Sequence, residues 1–91
     1  MNSPQTSMMM KAIETRFHGP TNRRGSRVIA TEPDGSSHTH PWDYALNSTQ
    51  NHASAARALA DKLGWNAPQV GGALKNSCVW VFTEEPSNQP F

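Results

Sequence analysis

The sequence predicts an α+β domain in which one helix packs on one face of an antiparallel sheet of three to five strands. Two observations indicate this class. Residues 48–65 are the only segment with signals for a helix start, an apolar stripe and a helix stop. Short segments rich in β-branched and aromatic residues lie on both sides of it, separated by turn residues. The predicted order is β-β-β-α-(β)-β, and one helix across an antiparallel sheet is the natural two-layer arrangement for that order.

The predicted helix has the sequence STQNHASAARALADKLGW. Ser48 is placed to act as N-cap, because its hydroxyl can accept an amide hydrogen of the first turn. His52 begins an apolar stripe that continues at helical spacing. The stripe comprises Ala56, Leu59, Ala60 and Leu63. Gly64 suits the left-handed position that ends a helix, and Trp65 is expected to fold back on the last turns.

The strand-type segments are assigned from alternation and turn chemistry. Residues 11–18 alternate between an apolar and a polar face, which is typical of a half-buried strand. Residues 26–32 and 36–40 are joined by a Pro-Asp-Gly turn signal. Residues 69–74 are a possible further strand, in which two glycines mark a bulge or a close backbone approach. Residues 78–82, CVWVF, form a continuous apolar run and are predicted to be the central strand.

The chain has 91 residues, which suits one domain. Residues 1–9 and 84–91 lack periodicity, so we expect a disordered extension and a flexible tail around a domain spanning residues 10–83. No apolar run approaches the length of a membrane span. A single cysteine, Cys78, excludes an internal disulfide and suits a reducing cytoplasm. The expected large core residues are Ile13, Phe17, Trp42, Tyr44, Leu46, Trp65, Trp80 and Phe82.

Five segments resemble, in order and spacing, a family of small proteins encoded by phages, prophages and plasmids. They are TNRRGSR, PWDYALN, NHASAARALADKLGW, VGGAL and VWVF, and the match covers residues 11–82. The family pattern is a T-N-x-R-G-[SA]-R loop, a P-[YW]-D segment, an N-H-x-x-A-A helix ending in K-x-G-W, and V-G-G. This chain departs from it in its longer polar tails. The resemblance implies a mobile-element setting in a host cytoplasm and a shared fold, and it implies no activity.

Basic residues are concentrated near the N-terminus, although the net charge is only +1. Guanidinium groups in a loop suit phosphates or carboxylates, because they present forked hydrogen-bond donors. The candidate binding residues are Arg16, Thr21, Asn22, Arg23, Arg24 and Arg27. The alternative is a solvated loop held by turn hydrogen bonds of Thr21 and Asn22. Arg27 also has an alternative role, a pair with Glu14 across the first two strands.

Metal binding and catalysis are not expected. His38 and His40 share a strand face, and His18 is a possible cross-strand neighbour, so these three imidazoles are the candidate zinc ligands, whereas His52 is expected to be a helix-face residue. No carboxylate stands at a recognisable ligand spacing, and we predict neither a metal nor a cofactor. Cys78 begins an apolar strand, where a thiol is usually inert. Asp43 and the scattered serines form no triad signature, so no enzyme activity is predicted.

Two functional hypotheses from different classes remain open. The first is a mobile-element accessory protein that binds nucleic acid through the arginine-rich loop. The second is a protein-binding inhibitor of a host defence complex, which would use the same loop on an acidic surface or use exposed aromatic side chains. Binding to phosphates weakens steeply with salt, whereas a specific protein complex survives moderate salt. Neither hypothesis involves a membrane.

Overall fold

A computed structural model describes residues 11–83 and shows five strands and one helix. The bounds are β1 Lys11–His18, β2 Arg27–Thr31, β3 Ser37–Pro41, α1 Ser48–Leu63, β4 Gln69–Ala73 and β5 Cys78–Phe82. The predicted α+β class and the order of elements are confirmed, and the segment predicted as a possible strand is the full strand β4. The predicted extension, residues 1–9, and the predicted tail, residues 84–91, lie outside the described residues.

The five strands form one antiparallel sheet in the order β3-β2-β1-β5-β4. The central strand is therefore β1, and the prediction that β5 is central is wrong. With eight residues, β1 is long enough to pair with β5 over its first half and with β2 over its second half. The continuous apolar run of β5 indicated burial on both faces, but Val79 and Val81 are only half-buried.

The register of the strands determines which side chains face the helix. Ile13 lies opposite Trp80, and Thr15 lies opposite Ala30, so these four side chains share the face that α1 covers. The alternate residues of each strand lie on the other face, against which no described element packs. We call this the open face. Its residues include Glu14, Arg16, His18, Ile29, Thr31, Val79 and Val81.

The N-cap of α1 is Asn47, one residue before the predicted Ser48. Asn47 Oδ1 accepts the Gln50 amide at 2.8 Å, and Gln50 Oε1 accepts the Asn47 amide at 2.9 Å, which is a complete capping box. The prediction failed by one residue because asparagine and serine are nearly equivalent caps. The glutamine three residues after Asn47 decides between them.

The C-terminal end of α1 has the predicted glycine cap. Gly64 has φ 80° and ψ 18°, a left-handed conformation. The amide of Gly64 bonds to the Asp61 carbonyl, and that of Trp65 bonds to the Ala60 carbonyl at 2.8 Å. This pair of bonds is the Schellman motif. It turns the Trp65 ring onto Phe82, with ring centroids 5.3 Å apart.

The core is built from fewer large side chains than predicted. Ile13, Trp80 and Phe82 are buried as expected, while Trp42, Leu46 and Trp65 are partly buried. The prediction is wrong for Phe17, which is 46% exposed, and for Tyr44, which is 82% exposed. Small residues explain the difference, because they let α1 approach the sheet closely enough to close the core without more large side chains. These residues are Ala30, Ala55, Ala56 and Ala60.

Candidate nucleic-acid interface

Two connecting segments leave the sheet at the same end. His18, the last residue of β1, lies opposite Arg27, and Arg27 lies opposite Pro41 at the end of β3. Residues 19–26, which we call the basic loop, connect β1 to β2. Residues 43–46, which we call the tyrosine turn, follow β3. The Trp42 amide donates to the Ser26 carbonyl at 3.1 Å and links the two segments.

The basic loop is held by its own side chains. Thr21 Oγ1 accepts the backbone amides of Arg23 at 3.3 Å and Arg24 at 3.1 Å, and the Thr21 amide donates to the Arg24 carbonyl at 2.7 Å. Arg27 Nη1 donates to the carbonyls of Gly19 and Gly25, both at 3.3 Å. Thr21 and Arg27, predicted as binding residues, thus form contacts that hold the loop. Asn22 is exposed at the tip of the loop.

The other predicted binding residue, Arg16, lies on the open face and pairs with Glu14. Arg16 Nη2 lies 3.1 Å from Glu14 Oε2, which also accepts the Ser77 hydroxyl at 2.6 Å. The alternative in which Glu14 pairs with Arg27 is therefore wrong. The physical reason is the register of the strands: Glu14 lies opposite Thr31, whereas Arg27 lies opposite His18 at the far end of β1 and donates to the loop carbonyls.

The five arginines of the chain differ in how their guanidinium groups are bonded. Arg57 donates to the carbonyls of Trp65 and Ala67 and pairs with Asp61. Arg16 and Arg27 are bonded as described above. Within residues 11–83, the guanidinium groups of Arg23 and Arg24 make no ion pair or hydrogen bond, and both side chains are exposed.

The tyrosine turn is held by one buried residue that the sequence analysis missed, Asn51. Its Oδ1 accepts the Asp43 amide at 2.8 Å, and its Nδ2 donates to the carbonyls of Asp43, Leu46 and Asn47. Asp43 Oδ1 accepts the Ala45 amide at 2.9 Å and closes the turn from within. The available signal was a polar side chain next to the apolar stripe, directly before His52.

Two aromatic side chains meet between the basic loop and the tyrosine turn. The rings of Phe17 and Trp42 lie edge to face, with centroids 5.0 Å apart and an interplanar angle of 78°. Tyr44 follows on the tyrosine turn. We use the name aromatic cluster for Phe17, Trp42 and Tyr44, of which Phe17 and Trp42 are in ring contact and Tyr44 follows Trp42 by two residues. Sequence reasoning placed all three in the core because large apolar rings in a small domain are usually buried.

The three histidines considered as metal ligands do not meet. His38 and His40 lie on the helix-facing side of β3, with His38 Nε2 3.4 Å from His40 Nδ1, whereas His18 lies on the open face. Residues 11–83 contain no group of three or more histidine, cysteine, aspartate or glutamate side chains arranged to hold a metal ion. Burial lowers the pKa of His38, and the charges of His40 and Lys62 lower it further.

His52 belongs to a polar network inside the core. The Trp80 indole N–H donates to Thr15 Oγ1 at 2.9 Å, and the same oxygen lies 2.8 Å from His52 Nδ1, within hydrogen-bond distance. Burial lowers the pKa of His52, and a hydrogen bond with the backbone of Thr15 partly opposes that shift.

Comparisons with protein-family models, with curated proteins and with solved structures gave no significant match. In the part of the chain that the structure describes, no helix is long and apolar enough to cross a membrane.

Proposed function

We propose that this protein binds nucleic acid through the basic loop, as a non-catalytic accessory protein of a mobile element acting in the host cytoplasm. One observation carries the proposal. Arg23 and Arg24 are exposed on a loop whose backbone is held by Thr21 and Arg27, and within residues 11–83 no carboxylate neutralises them. Two adjacent guanidinium groups suit the phosphates of a nucleic-acid backbone, because each presents several N–H donors in a fork that matches phosphate oxygens.

The state of the loop before binding also favours this function. Ordering a flexible loop on binding costs free energy, and hydrogen bonds already present in the unbound protein reduce that cost. The bonds from Thr21 and Arg27 span both halves of the basic loop. Arg16 and Arg57 differ from Arg23 and Arg24, because their guanidinium groups pair with carboxylates and are less available to a phosphate.

The proposal is tested by measuring binding of a labelled 20-nucleotide DNA and RNA by fluorescence anisotropy at increasing salt. The wild type should bind with an affinity that falls steeply with salt. Replacing Arg23 and Arg24 with alanine should weaken binding and flatten the salt slope by about one unit per lost phosphate contact. The melting temperature should stay close to wild type, because both side chains are exposed.

The matched control is a double variant with Lys62→Ala and Lys75→Ala. Both lysines are exposed and lie outside the basic loop, so this variant loses the same charge from another part of the surface. Its salt slope should stay close to that of the wild type, because it loses charge but no phosphate contact of the basic loop. If both double variants lose affinity equally, or if the wild type binds neither polynucleotide, the proposal is wrong.

A second candidate function is protein binding by an inhibitor of a host defence complex. The observation in its favour is the edge strand β4, where Val70 is 60% exposed and is followed by Leu74 at 53%. A pull-down from host lysate with and without nuclease separates the two functions. A protein partner retained after nuclease treatment and at moderate salt, and lost on replacing Val70 with threonine and Leu74 with serine, would favour the inhibitor.

A further inference from the structure

We propose that Phe17 and Tyr44 form a stacking surface for unpaired bases beside the basic loop, so that the ligand is a single-stranded polynucleotide. This inference rests on the proposed nucleic-acid function and narrows its substrate class. Proteins that bind single strands combine basic residues along the backbone with aromatic rings on which the bases stack. Both components are present at one end of this sheet.

Tyr44 carries the first part of the argument. Its side chain is 82% exposed, although the turn beneath it is held by several hydrogen bonds from Asn51 and Asp43. A large aromatic ring normally contributes stability by burial, and at this exposure Tyr44 contributes little. The backbone is therefore fixed while the ring stays accessible. A fixed backbone with an accessible ring suits contact with a ligand. The Tyr44 ring adds little to the packing of the described residues.

Phe17 carries the second part. It is 46% exposed on the last part of β1, and its ring and that of Trp42 pack in a T-shaped arrangement. The contact with Trp42 limits the positions of the Phe17 ring while leaving about half of its surface open. Gly19, the first residue of the basic loop, lies beside the Phe17 ring, because a side chain there would begin 3.8 Å from it. Phe17 and the loop are thus direct neighbours.

The relative position of rings and charges follows from the sheet. The basic loop leaves β1 next to Phe17, and the tyrosine turn leaves β3 two strands away at the same end. The Trp42–Ser26 hydrogen bond holds the two segments together. A strand whose phosphates contact Arg23 and Arg24 can therefore turn its bases toward the aromatic cluster. In a duplex the bases are already stacked and paired, so the rings would gain no such contact.

The open face gives a contrast that supports this location. Among the described strand residues, every aromatic ring except the imidazole of His18 lies on the helix-facing side of the sheet. The open face presents Ile29, Val79 and Val81 near the charge pair of Glu14 and Arg16, which offers no flat ring for a base. The aromatic cluster is thus the stacking position next to Arg23 and Arg24, which pair with no carboxylate of residues 11–83. One carboxylate, Asp43, lies nearby and is bonded to the Ala45 amide.

The test compares binding of 20-nucleotide oligo-dT and oligo-U with binding of a DNA duplex and an RNA duplex of the same length. The wild type should prefer the single strands in at least one sugar type. Tyr44→Ala should weaken single-strand binding about fivefold or more, the size of one lost base–aromatic stack. Duplex binding should change by less than about twofold, because it depends on phosphate contacts. Phe17→Leu should act in the same direction, and Tyr44→Phe should keep wild-type binding.

Leu74→Ala is the matched control, since Leu74 is an exposed apolar residue beyond β4, on the opposite edge of the sheet from β3. It should bind both forms as the wild type does. If Tyr44→Ala and Phe17→Leu keep single-strand binding while the Arg23 and Arg24 double variant loses it, the stacking surface is wrong and the proposed function stands. If the wild type prefers duplexes, the stacking surface is likewise wrong and the proposed function stands. If the wild type binds no polynucleotide, both proposals fall together.

Discussion

Thr15 is the residue on which the buried polar network depends. It is fully buried in the central strand, and its single hydroxyl bonds both the Trp80 indole and the His52 ring. These three residues come from β1, β5 and α1, so the network joins the helix to two neighbouring strands. A buried polar group is tolerated only when its hydrogen bonds are satisfied, and here one oxygen satisfies two partners.

We therefore predict that Thr15→Val destabilises the protein despite the nearly equal size of the two side chains. The change would leave the Trp80 N–H and His52 Nδ1 buried without partners. Each unsatisfied group costs about 1–3 kcal/mol, so the expected loss for the two groups is roughly 2–6 kcal/mol of unfolding free energy. Chemical denaturation followed by tryptophan fluorescence measures it.

Thr31→Val is the control for this prediction. Thr31 is an exposed threonine on the open face of the adjacent strand, so the same chemical change there should leave stability within about 0.5 kcal/mol. Equal effects of the two substitutions would show that the hydroxyl of Thr15 contributes no more than an exposed one.

At the scale of elements, the pairing of β4 with β5 depends on two adjacent glycines with different surroundings. Gly71 lies opposite Trp80, and a Cβ placed on Gly71 would lie 2.5 Å from the Trp80 ring. Gly72 points to the open face, where its Cβ would lie 3.6 Å from Val79, an ordinary contact. The ladder runs without interruption from Gln69 to Ala73, so the close backbone approach predicted for this segment is confirmed and the alternative of a bulge is not.

We predict opposite outcomes for alanine at these two positions. Gly71→Ala should lower stability by roughly 1–3 kcal/mol, because the Trp80 ring must shift and its N–H is tied to Thr15. Gly72→Ala should be neutral or stabilising by up to about 1 kcal/mol, since alanine restricts the unfolded chain without a clash. Thermal melts of the two variants decide the matter, and a Gly71→Ala protein as stable as Gly72→Ala would contradict the packing described for Trp80.

The elements were predictable from sequence wherever a local signal specified them. Gly64 ends α1 in the expected conformation, because few other residues adopt a left-handed backbone without strain. The start of α1 was misplaced by one residue, since both Asn47 and Ser48 are good caps. Alternation correctly grouped the faces of β1 and β2, and turn residues correctly separated the strands.

At the scale of the whole molecule, local sequence patterns could not predict the order of the strands or the exposure of the aromatic rings. Strand order depends on which pairs of distant segments bond, and β1 is central because it pairs with both β2 and β5. Phe17 and Tyr44 were assigned to the core from their size alone. Their exposure follows from the alanine-rich helix, which closes the core over Ile13 and Trp80.

The candidate interface was predictable in part for the same reason. The clustering of arginines in the basic loop is visible in the sequence. Which of the loop residues hold the backbone and which project into solvent is not. Thr21 and Arg27 hold the loop, and only Arg23 and Arg24 project from it without bonded guanidinium groups within residues 11–83. The link between the basic loop and the tyrosine turn depends on contacts between strand ends that are distant in the chain.

The stability of the whole protein should fall as the pH decreases below about 6.5. The native pKa values of His52 and His38 are both lowered from 6.5, so near pH 6 the unfolded chain binds protons that the folded protein does not. The contribution that these two neutral histidines make to the free energy of unfolding is fully present above pH 6.5. It is lost as the pH falls toward their native pKa values. Buried His52 should contribute more than half-exposed His38, whose interactions with His40 and Lys62 are screened by solvent.

Urea unfolding at several pH values between 7.5 and 5 measures this dependence. Each histidine contributes a slope of at most about 1.4 kcal/mol per pH unit, because the slope counts the protons taken up on unfolding. His52→Asn keeps a polar side chain that can donate to or accept from the Thr15 hydroxyl and removes the titrating ring, so its slope should be flatter than that of wild type whatever its absolute stability. Histidine proton resonances followed by NMR should place the native midpoints of both residues below 6.5. Midpoints at or above that value would contradict the prediction, because burial could then not be holding these rings neutral.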